Sequence, residues 1–392
     1  MKRILTFGGV VATAGLLAAG LGAPAQAADS VADVNLANTN YAAWQVVDFW
    51  FKENAANLIN AKPYAVETTV PAKHVSGGGP SADTKPGVVP AIGDEKKTAT
   101  KSKNVNLPKS TGKVFFRGSD GQPHWCTATS VQSTYRNVVA TAGHCVYDTA
   151  SNKQTMDSWV FVPGYYQGKT PWGIYVGKTA FTHYDFDVYE DGDRDYAFVT
   201  VYNGVNRGAI KRASDLTDAE KKIVADYRTK TSQAHPYIWF KHKGTEYFQF
   251  LTDTGRLGDN VGGQGLAYNQ KLGKNVFVFG YPSGSHPDGN NAYSGKTLKW
   301  SYGKTFAAQA PAIKAQELQG IKSSFTGEGS SGSAWLLNYK SAKRIGYLNG
   351  VTIGVSDTDG NKRIDTSVSP YFDGETYGVY KAAAALWSGK IV

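Results

Sequence analysis

Beyond residue 110 the sequence predicts an all-β fold, and three observations carry that expectation. Short apolar runs recur between clusters of turn residues, the pattern of partly buried strands. Glycine is abundant, at 44 of 392 residues, as a chain with many tight turns requires. Aromatic residues make up 12% and charged residues only 19%, so the chain has the material for a packed core and lacks the composition of a disordered polymer.

At the start, Met1-Lys2-Arg3 is basic, Ile4 to Leu21 is apolar, and Ala25-Gln26-Ala27 is an Ala-x-Ala cleavage site. Residues 1–27 read as a signal peptide, and the protein as secreted and extracellular. The apolar stretch falls short of a bilayer span, and no other segment is long and apolar enough, so no membrane anchor is expected. Residues 28–110 read as a segment and linker ahead of the main domain. Trp44, Val47, Phe51 and Leu58 recur at roughly helical spacing, which predicts a helix over Tyr41–Ile59. Gly77-Gly78-Gly79-Pro80 and the Pro, Lys and Thr-rich run to Pro108 have linker composition, open to proteases. A maturation cut is expected between Lys101 and Lys113.

The main domain is expected over 111–392. Val114-Phe115-Phe116, Thr127 to Val131, Val138-Val139-Ala140, Trp159 to Val162, Ile174-Tyr175-Val176 and Ala197 to Val201 read as a first set of strands. Residues 205–260 break the rhythm and read as an insertion. Within them Thr217-Asp218-Ala219-Glu220 is a capping box, and a helix is expected to about Tyr227. The insertion either covers a face of the first strand set or borders a cleft. A second set runs from about Gly265, with Val276 to Tyr281, Thr297 to Trp300, Ser333 to Leu337 and Val351 to Gly354 as its clearest strands. Thr376 to Trp387 reads as a closing helix.

Three short motifs carry chemistry. Gly327-Glu328-Gly329-Ser330-Ser331-Gly332-Ser333 places serines between glycines, where a tight turn can present a hydroxyl and its own amides to one spot. A serine hydroxyl is a poor nucleophile without an imidazole to take its proton, and Thr141-Ala142-Gly143-His144-Cys145 follows a strand. Between them in chain order, Asp195-Tyr196-Ala197-Phe198-Val199 puts an aspartate at a strand start. Asp185, Asp187, Asp191 and Asp193 are rivals, read as a solvated acidic turn.

Thr-Ala-Gly-His-Cys and Gly-Ser-Ser-Gly-Ser resemble the histidine and serine motifs of chymotrypsin-like serine peptidases. Gly112 to Phe116, Trp159 to Tyr165, Gly280-Tyr281-Pro282 and Ser369 to Phe372 look like segments of secreted actinobacterial trypsin-like peptidases, with the glutamyl endopeptidase branch as a neighbour. The resemblance covers about residue 110 to the end. It implies two antiparallel six-stranded β-barrels, a C-terminal helix, and a helical pro-segment in residues 28–110. It implies a serine endopeptidase acting on proteins or peptides through His144, Asp195 and Ser331, with an oxyanion hole from the amides of Gly329 and Ser331. It also implies a bridge between Cys126 and Cys145, in keeping with an oxidising compartment. Its specificity pocket maps onto Phe325, Thr326, Val351 and Thr352. Phe325 stands where trypsins carry an acid, so cleavage after Lys or Arg is not implied. Small or apolar side chains are preferred instead. Ser330 replaces the family's aspartate that pairs with a freed N-terminus, so steric cover by residues 28–108 is the implied source of latency.

The net charge is +10, from 42 basic and 32 acidic side chains, without a dense basic block or a nucleic-acid motif. It reads as solubility and attraction to acidic surfaces, and nucleic acid is not an expected partner. Asp357-Thr358-Asp359-Gly360-Asn361 with Asp365 partly resembles a calcium loop. Its glycine comes too early for an EF-hand, and no acid stands at position twelve. It reads as a polar turn, so neither metal nor cofactor is expected, and a monomer is. The competing classes are a non-catalytic binding protein on the same fold and an esterase. The order His, Asp, Ser opposes the latter, whose triad runs Ser, Asp, His.

Overall fold

The computed structural model describes residues 30–66, 68–94, 105–149, 156–323 and 327–392. The expected signal peptide, residues 1–27, lies outside them, as do Lys101, Phe325 and Thr326.

The segment ahead of the main domain is not loosely attached. It supplies β1 (Val31–Asn35), α1 (Asn40–Asn60), β2 (Lys62–Pro63), β3 (Lys73–His74) and β4 (Gly87–Val89). Thr39 caps α1 by accepting from the amide of Ala42, and the helix is broken at Lys52–Ala55, where Glu53, Asn54 and Ala55 have positive φ.

The first barrel is built from β5 (Thr111–Arg117), β6 (Pro123–Val131), β7 (Val138–Thr141), β8 (Asp157–Pro163), β9 (Tyr175–His183) and, after the short helix α2 (Tyr184–Tyr189), β10 (Ala197–Val201). They pair in the order β9-β10-β7-β6-β5-β8, and β8 pairs back to β9, which closes the barrel. Alternation along β5 explains its continuous apolar run. Val114 and Phe116 point into the barrel with Cys126, Val139 and Phe161. Phe115 points outward into a second core with Val160, Val162, Val47, Trp50 and Phe51. α1 lies over that outer face, and Val47, Trp50 and Phe51 are fully buried. Each of these side chains stabilises the docked helix by roughly 1.5–3 kcal/mol. β1 adds to the sheet beside β9, and β2 runs parallel to β6.

The insertion forms its own four-stranded sheet from β11 (Gly204–Arg207), β12 (Lys211–Arg212), β13 (Tyr237–His242) and β14 (Thr245–Gly255), with α3 (Asp218–Arg228) between β12 and β13. The capping box forms: Thr217 Oγ1 accepts from Glu220 N, and the Glu220 carboxylate accepts from Thr217 N. Leu216, Val224, Tyr237 and Phe248 make a separate small core. Its outer strands grip α1. Trp44 Nε1 donates to Tyr237 O at 3.3 Å, Arg207 Nη1 donates to Phe51 O at 3.2 Å, and the Arg207 guanidinium lies 5.1 Å from the Phe51 ring centroid. The insertion therefore braces the N-terminal helix against the first barrel.

After α4 (Leu257–Val261), the second half comprises β15 (Gly265–Tyr268), β16 (Asn275–Gly280), β17 (Lys299–Lys304), β18 (Phe306–Ala310), β19 (Ala315–Lys322), β20 (Ala334–Lys340), β21 (Ile345–Val351), β22 (Gly354–Ser356) and β23 (Thr366–Pro370). It is a half-barrel of two sheets, ordered β17-β16-β20-β21-β15-β4 and β22-β23-β19-β18-β3. In both, the last strand comes from the N-terminal segment. Linker-like composition did not keep Gly87–Val89 in solution, because an open sheet edge offers unpaired amides and carbonyls that β4 satisfies. Ile92 N donates to Gly263 O, and Asp94 meets Lys340 and Tyr347. α5 (Gly374–Ala384) closes the chain. Asp373 caps it, and Val379, Tyr380 and Ala383 pack on Phe198 and Phe372.

Candidate active site

His144 sits in a single turn, Gly143–Cys145, directly after β7. Gly143 is required there, since a Cβ would lie 2.6 Å from the Phe186 ring. The Cys126–Cys145 disulfide ties this turn to β6, as the family resemblance implied. Asp195 ends a second short turn, where the chain enters β10, and β10 pairs with β7. One aspartate thus meets the histidine twice. The backbone amide of His144 donates to Oδ1 at 2.8 Å, and Nδ1 donates to Oδ2 at 2.6 Å. Both residues are buried, at 0% and 1% exposure, so the bond forms in a low local dielectric that strengthens it.

The rival aspartates are committed elsewhere. The Asp193 carboxylate accepts the amides of Gln316 and Glu317, at 2.8–3.0 Å, and so staples this turn to β19. Burial pushes its pKa up to about 6 despite those bonds. Asp191 accepts from Asp193 N, while Asp185 and Asp187 lie on α2.

Ser331 lies on the loop ahead of β20 and is fully buried. Thr127, next to Cys126, fastens this loop to the first barrel. Thr127 N donates to Ser331 O at 2.9 Å, and its hydroxyl donates to Gly329 O at 2.8 Å. Gly329 has φ +82°, and a Cβ there would fall 2.0 Å from the Trp125 ring. Gly332 has the same φ, and its Cβ would fall 2.0 Å from Thr127 O and 2.3 Å from Thr141 Oγ1. Ser331 is thereby held against the ends of β6 and β7 that also carry His144. Its Oγ makes no hydrogen bond among the described residues. The neighbouring Ser330 donates its hydroxyl to Gly327 O at 2.7 Å and so holds its own loop.

Of the specificity residues, Phe325 and Thr326 lie outside the described residues. Val351 is buried at the end of β21. Thr352 is buried too, and its hydroxyl accepts from Trp335 Nε1 at 2.9 Å. The Asp357, Asp359 and Asp365 carboxylates lie within 4.8 Å of one another. They accept the loop's own amides, Gly360 N and Lys362 N on Asp357, Asn361 N on Asp359, and Thr358 N on Asp365, so a polar turn accounts for them.

Tyr64 was missed by sequence reasoning. Its ring stacks on His144 with centroids 6.3 Å apart, and its amide donates to Trp125 O at 2.9 Å. The chain then crosses to β22, where Val355 N donates to Thr68 O at 2.7 Å and Val70 N donates to Val355 O at 3.0 Å. Ala72 N donates to Ser356 Oγ. The segment passes over the histidine from one half of the molecule to the other.

No protein-family model matches this chain, and no curated protein matches it. Among solved structures it is similar to the protease Anisep from Arthrobacter nicotinovorans, at TM-score 0.50 and 24% identity over 72% of this chain and 98% of that one. The thermostable serine protease AL20 from an extremophilic microorganism gives 0.49 and 22%, over 71% and 98%. A Glu endopeptidase gives 0.43 and 16%, over 73% and 96%. The closed six-stranded barrel, the half-barrel beside it and the likeness to Anisep together give this chain the chymotrypsin-like fold, the architecture of bacterial trypsin-like serine proteases.

Proposed function

We propose that the protein is a secreted serine endopeptidase made as a proenzyme. The observation that carries this reading is the buried His144–Asp195 pair at 2.6 Å, on the same strand ends that hold Ser331. In the reaction His144 takes the Ser331 proton as Oγ attacks a peptide carbonyl. Asp195 fixes the tautomer and stabilises the imidazolium. The amides of Gly329 and Ser331 receive the oxyanion, a role in which one donor is worth about 3 kcal/mol of barrier. His144 then protonates the leaving amine, and water repeats the sequence on the acyl-enzyme.

The proenzyme reading rests on the crossing segment. Tyr64 over His144, and Thr68 to Val70 paired with Val355, lay this segment across the cleft that a peptide would use to reach Ser331. Activity then requires Lys62–Val70 to leave the cleft. A cut in the run that includes Lys101 frees this segment covalently, but α1 holds it in place by its buried face, so the cleft opens only when the cut segment is degraded or displaced; the enzyme body starts at β5. Because β5 begins at Thr111 with Ser110, Thr111 and Lys113 buried, a cut inside 110–113 would damage the barrel. Ser330 leaves no partner for an inserted N-terminus, so the exact end should not matter. Secretion follows from residues 1–27, the substrates are proteins and peptides, and the active form is a monomer.

The test is peptide hydrolysis by the purified, processed protein. Ser331→Ala and His144→Ala are expected to abolish it while leaving circular dichroism unchanged. Undiminished hydrolysis by Ser331→Ala would falsify the assignment. A fully processed wild-type protein that cleaves no peptide would favour the binding-protein reading.

A further inference from the structure

Behind Trp125 lies a cavity of about 540 Å³ whose charge is unbalanced. Lys113, Lys169 and Lys296 line it, together with Trp125, Tyr165 and Ser283, and neither Asp nor Glu does. Lys113 is 3% exposed, yet it makes no hydrogen bond or ion pair among the described residues. Its Nζ lies 3.2 Å from the Trp125 ring centroid and 4.4 Å from that of Tyr165. Those rings offer cation–π attraction. Burial drives the amine well below its ordinary pKa range. A buried lysine is almost always paired. Here the missing partner is an anion, and the room for one is present.

The cavity belongs to the catalytic cleft. The Trp125 ring is its wall on one side, and the Gly329 backbone lies against that same ring. Ser283, on the lining, donates its amide to Glu328 O at 2.8 Å. The candidate oxyanion loop is therefore one aromatic ring away. The segment that crosses the cleft bonds to Trp125 at one end and to Val355 at the other, with Tyr64 on His144 between them, so the cavity wall and β22 flank the histidine from opposite sides. If the acyl half of a substrate lies along Val351–Ser356, the cavity receives the residues after the cleaved bond. In the present arrangement the end of α1 and Pro63 close it from outside.

We propose that this cavity is a subsite for an acidic side chain on the leaving-group half of the substrate, with Lys113 as its buried counter-charge and Lys169 and Lys296 at its mouth. The substrate class is then peptides with Asp or Glu just after the cleaved bond. The proposal rests on the endopeptidase reading. A desolvated charge pair gains much more than an exposed one, and the neutral isostere would leave Lys113 unpaired.

The test uses processed enzyme freed of the N-terminal segment, whose α1 end and Pro63 otherwise line the cavity, with active enzyme counted by fluorophosphonate labelling of Ser331 in a parallel sample. Two peptide series vary the first and the second residue after the cleaved bond among Glu, Gln and Lys. The expected result, at one of the two positions, is a kcat/KM about tenfold higher for Glu than for Gln, the equivalent of about 1.4 kcal/mol, with Lys the poorest. Lys113→Met should bring the Glu:Gln ratio close to one. Should Lys113→Met not fold, Lys169→Ala/Lys296→Ala, at exposed positions, should lower the same ratio by a few-fold. A wild-type ratio near one at both positions, or a ratio unchanged in the variants, overturns the subsite and leaves the peptidase reading standing. Absence of all hydrolysis by unlabelled enzyme from a preparation whose parallel sample labels at Ser331 overturns both.

Discussion

At the scale of single residues, two neighbouring aspartates could serve His144, and only one does. Asp195 meets both the ring and the backbone of the histidine, whereas Asp193, two positions earlier, holds two amides of β19. Asp195→Asn is expected to lower kcat by on the order of 10⁴, and Asp193→Asn should not approach that loss. The second substitution is expected to register instead in stability against pH. The folded protein holds a proton on Asp193 up to about pH 6, above the unfolded value, so ionisation is disfavoured in the fold. Its contribution is therefore largest below about pH 4 and declines as pH rises through about 6. The melting temperature of wild type relative to Asp193→Asn should fall between pH 4.5 and 6.5; a difference that rises instead would contradict the burial argument. Gly329 is the other exposed point of the argument. Gly329→Ala demands positive φ and a methyl inside the Trp125 ring contact, and should abolish activity with a clear loss of melting temperature. His144 and Ser331 were legible because each sits in a short, distinctive string. Tyr64 was not, because its neighbours His144 and Trp125 are distant in the chain, and no local pattern encodes a stacking partner.

At the scale of elements, the N-terminal segment is the informative one. Helical spacing marked α1 to within a residue at either end, since Val47, Phe51 and Leu58 are buried at the apolar positions that recur there. The break at Lys52–Ala55 and the depth of burial were not legible, as both follow from docking on β5 and β8 and from the grip of the insertion. β1 to β4 escaped notice for a related reason. They are short edge strands, and an edge strand is selected by the open edge it meets, not by its own propensity. Because α1 buries Val47, Trp50 and Phe51 completely, cleavage in the run containing Lys101 is not expected to separate the two pieces. Nicked protein should elute as one species under native conditions and as two in denaturant. Trp50→Ala, which costs about 3–5 kcal/mol in a packed core, should loosen the complex. Separation of the pieces directly on nicking would show that the helix docks less firmly than its burial implies.

At the scale of the whole molecule, the second half is left open and the N-terminal segment closes it. β3 and β4 complete the edges of its two sheets, and the stretch between β2 and β3 bridges the cleft. The two sets of strands and the closing helix were legible from strand spacing and family resemblance; that the second set forms a half-barrel rather than the expected six-stranded barrel was not. The role of residues 205–260 as a brace for α1 was not, since an insertion's partner depends on where the rest of the chain goes. One molecule thus combines a catalytic pair at bonding distance with a cover held at both ends. Tyr64→Ala is expected to weaken that cover without touching the pair. The most direct measurement is the rate of fluorophosphonate labelling at Ser331, mapped by mass spectrometry, in the intact chain, in Tyr64→Ala, and in the processed form after the cut N-terminal segment, residues 30–94, has been stripped away. Labelling is expected to be slow in the intact chain, faster in Tyr64→Ala, fastest after removal, and absent in Ser331→Ala throughout. Labelling of the intact chain as fast as that of the processed form would contradict the cover, and no labelling of Ser331 in the processed form would contradict the active site itself.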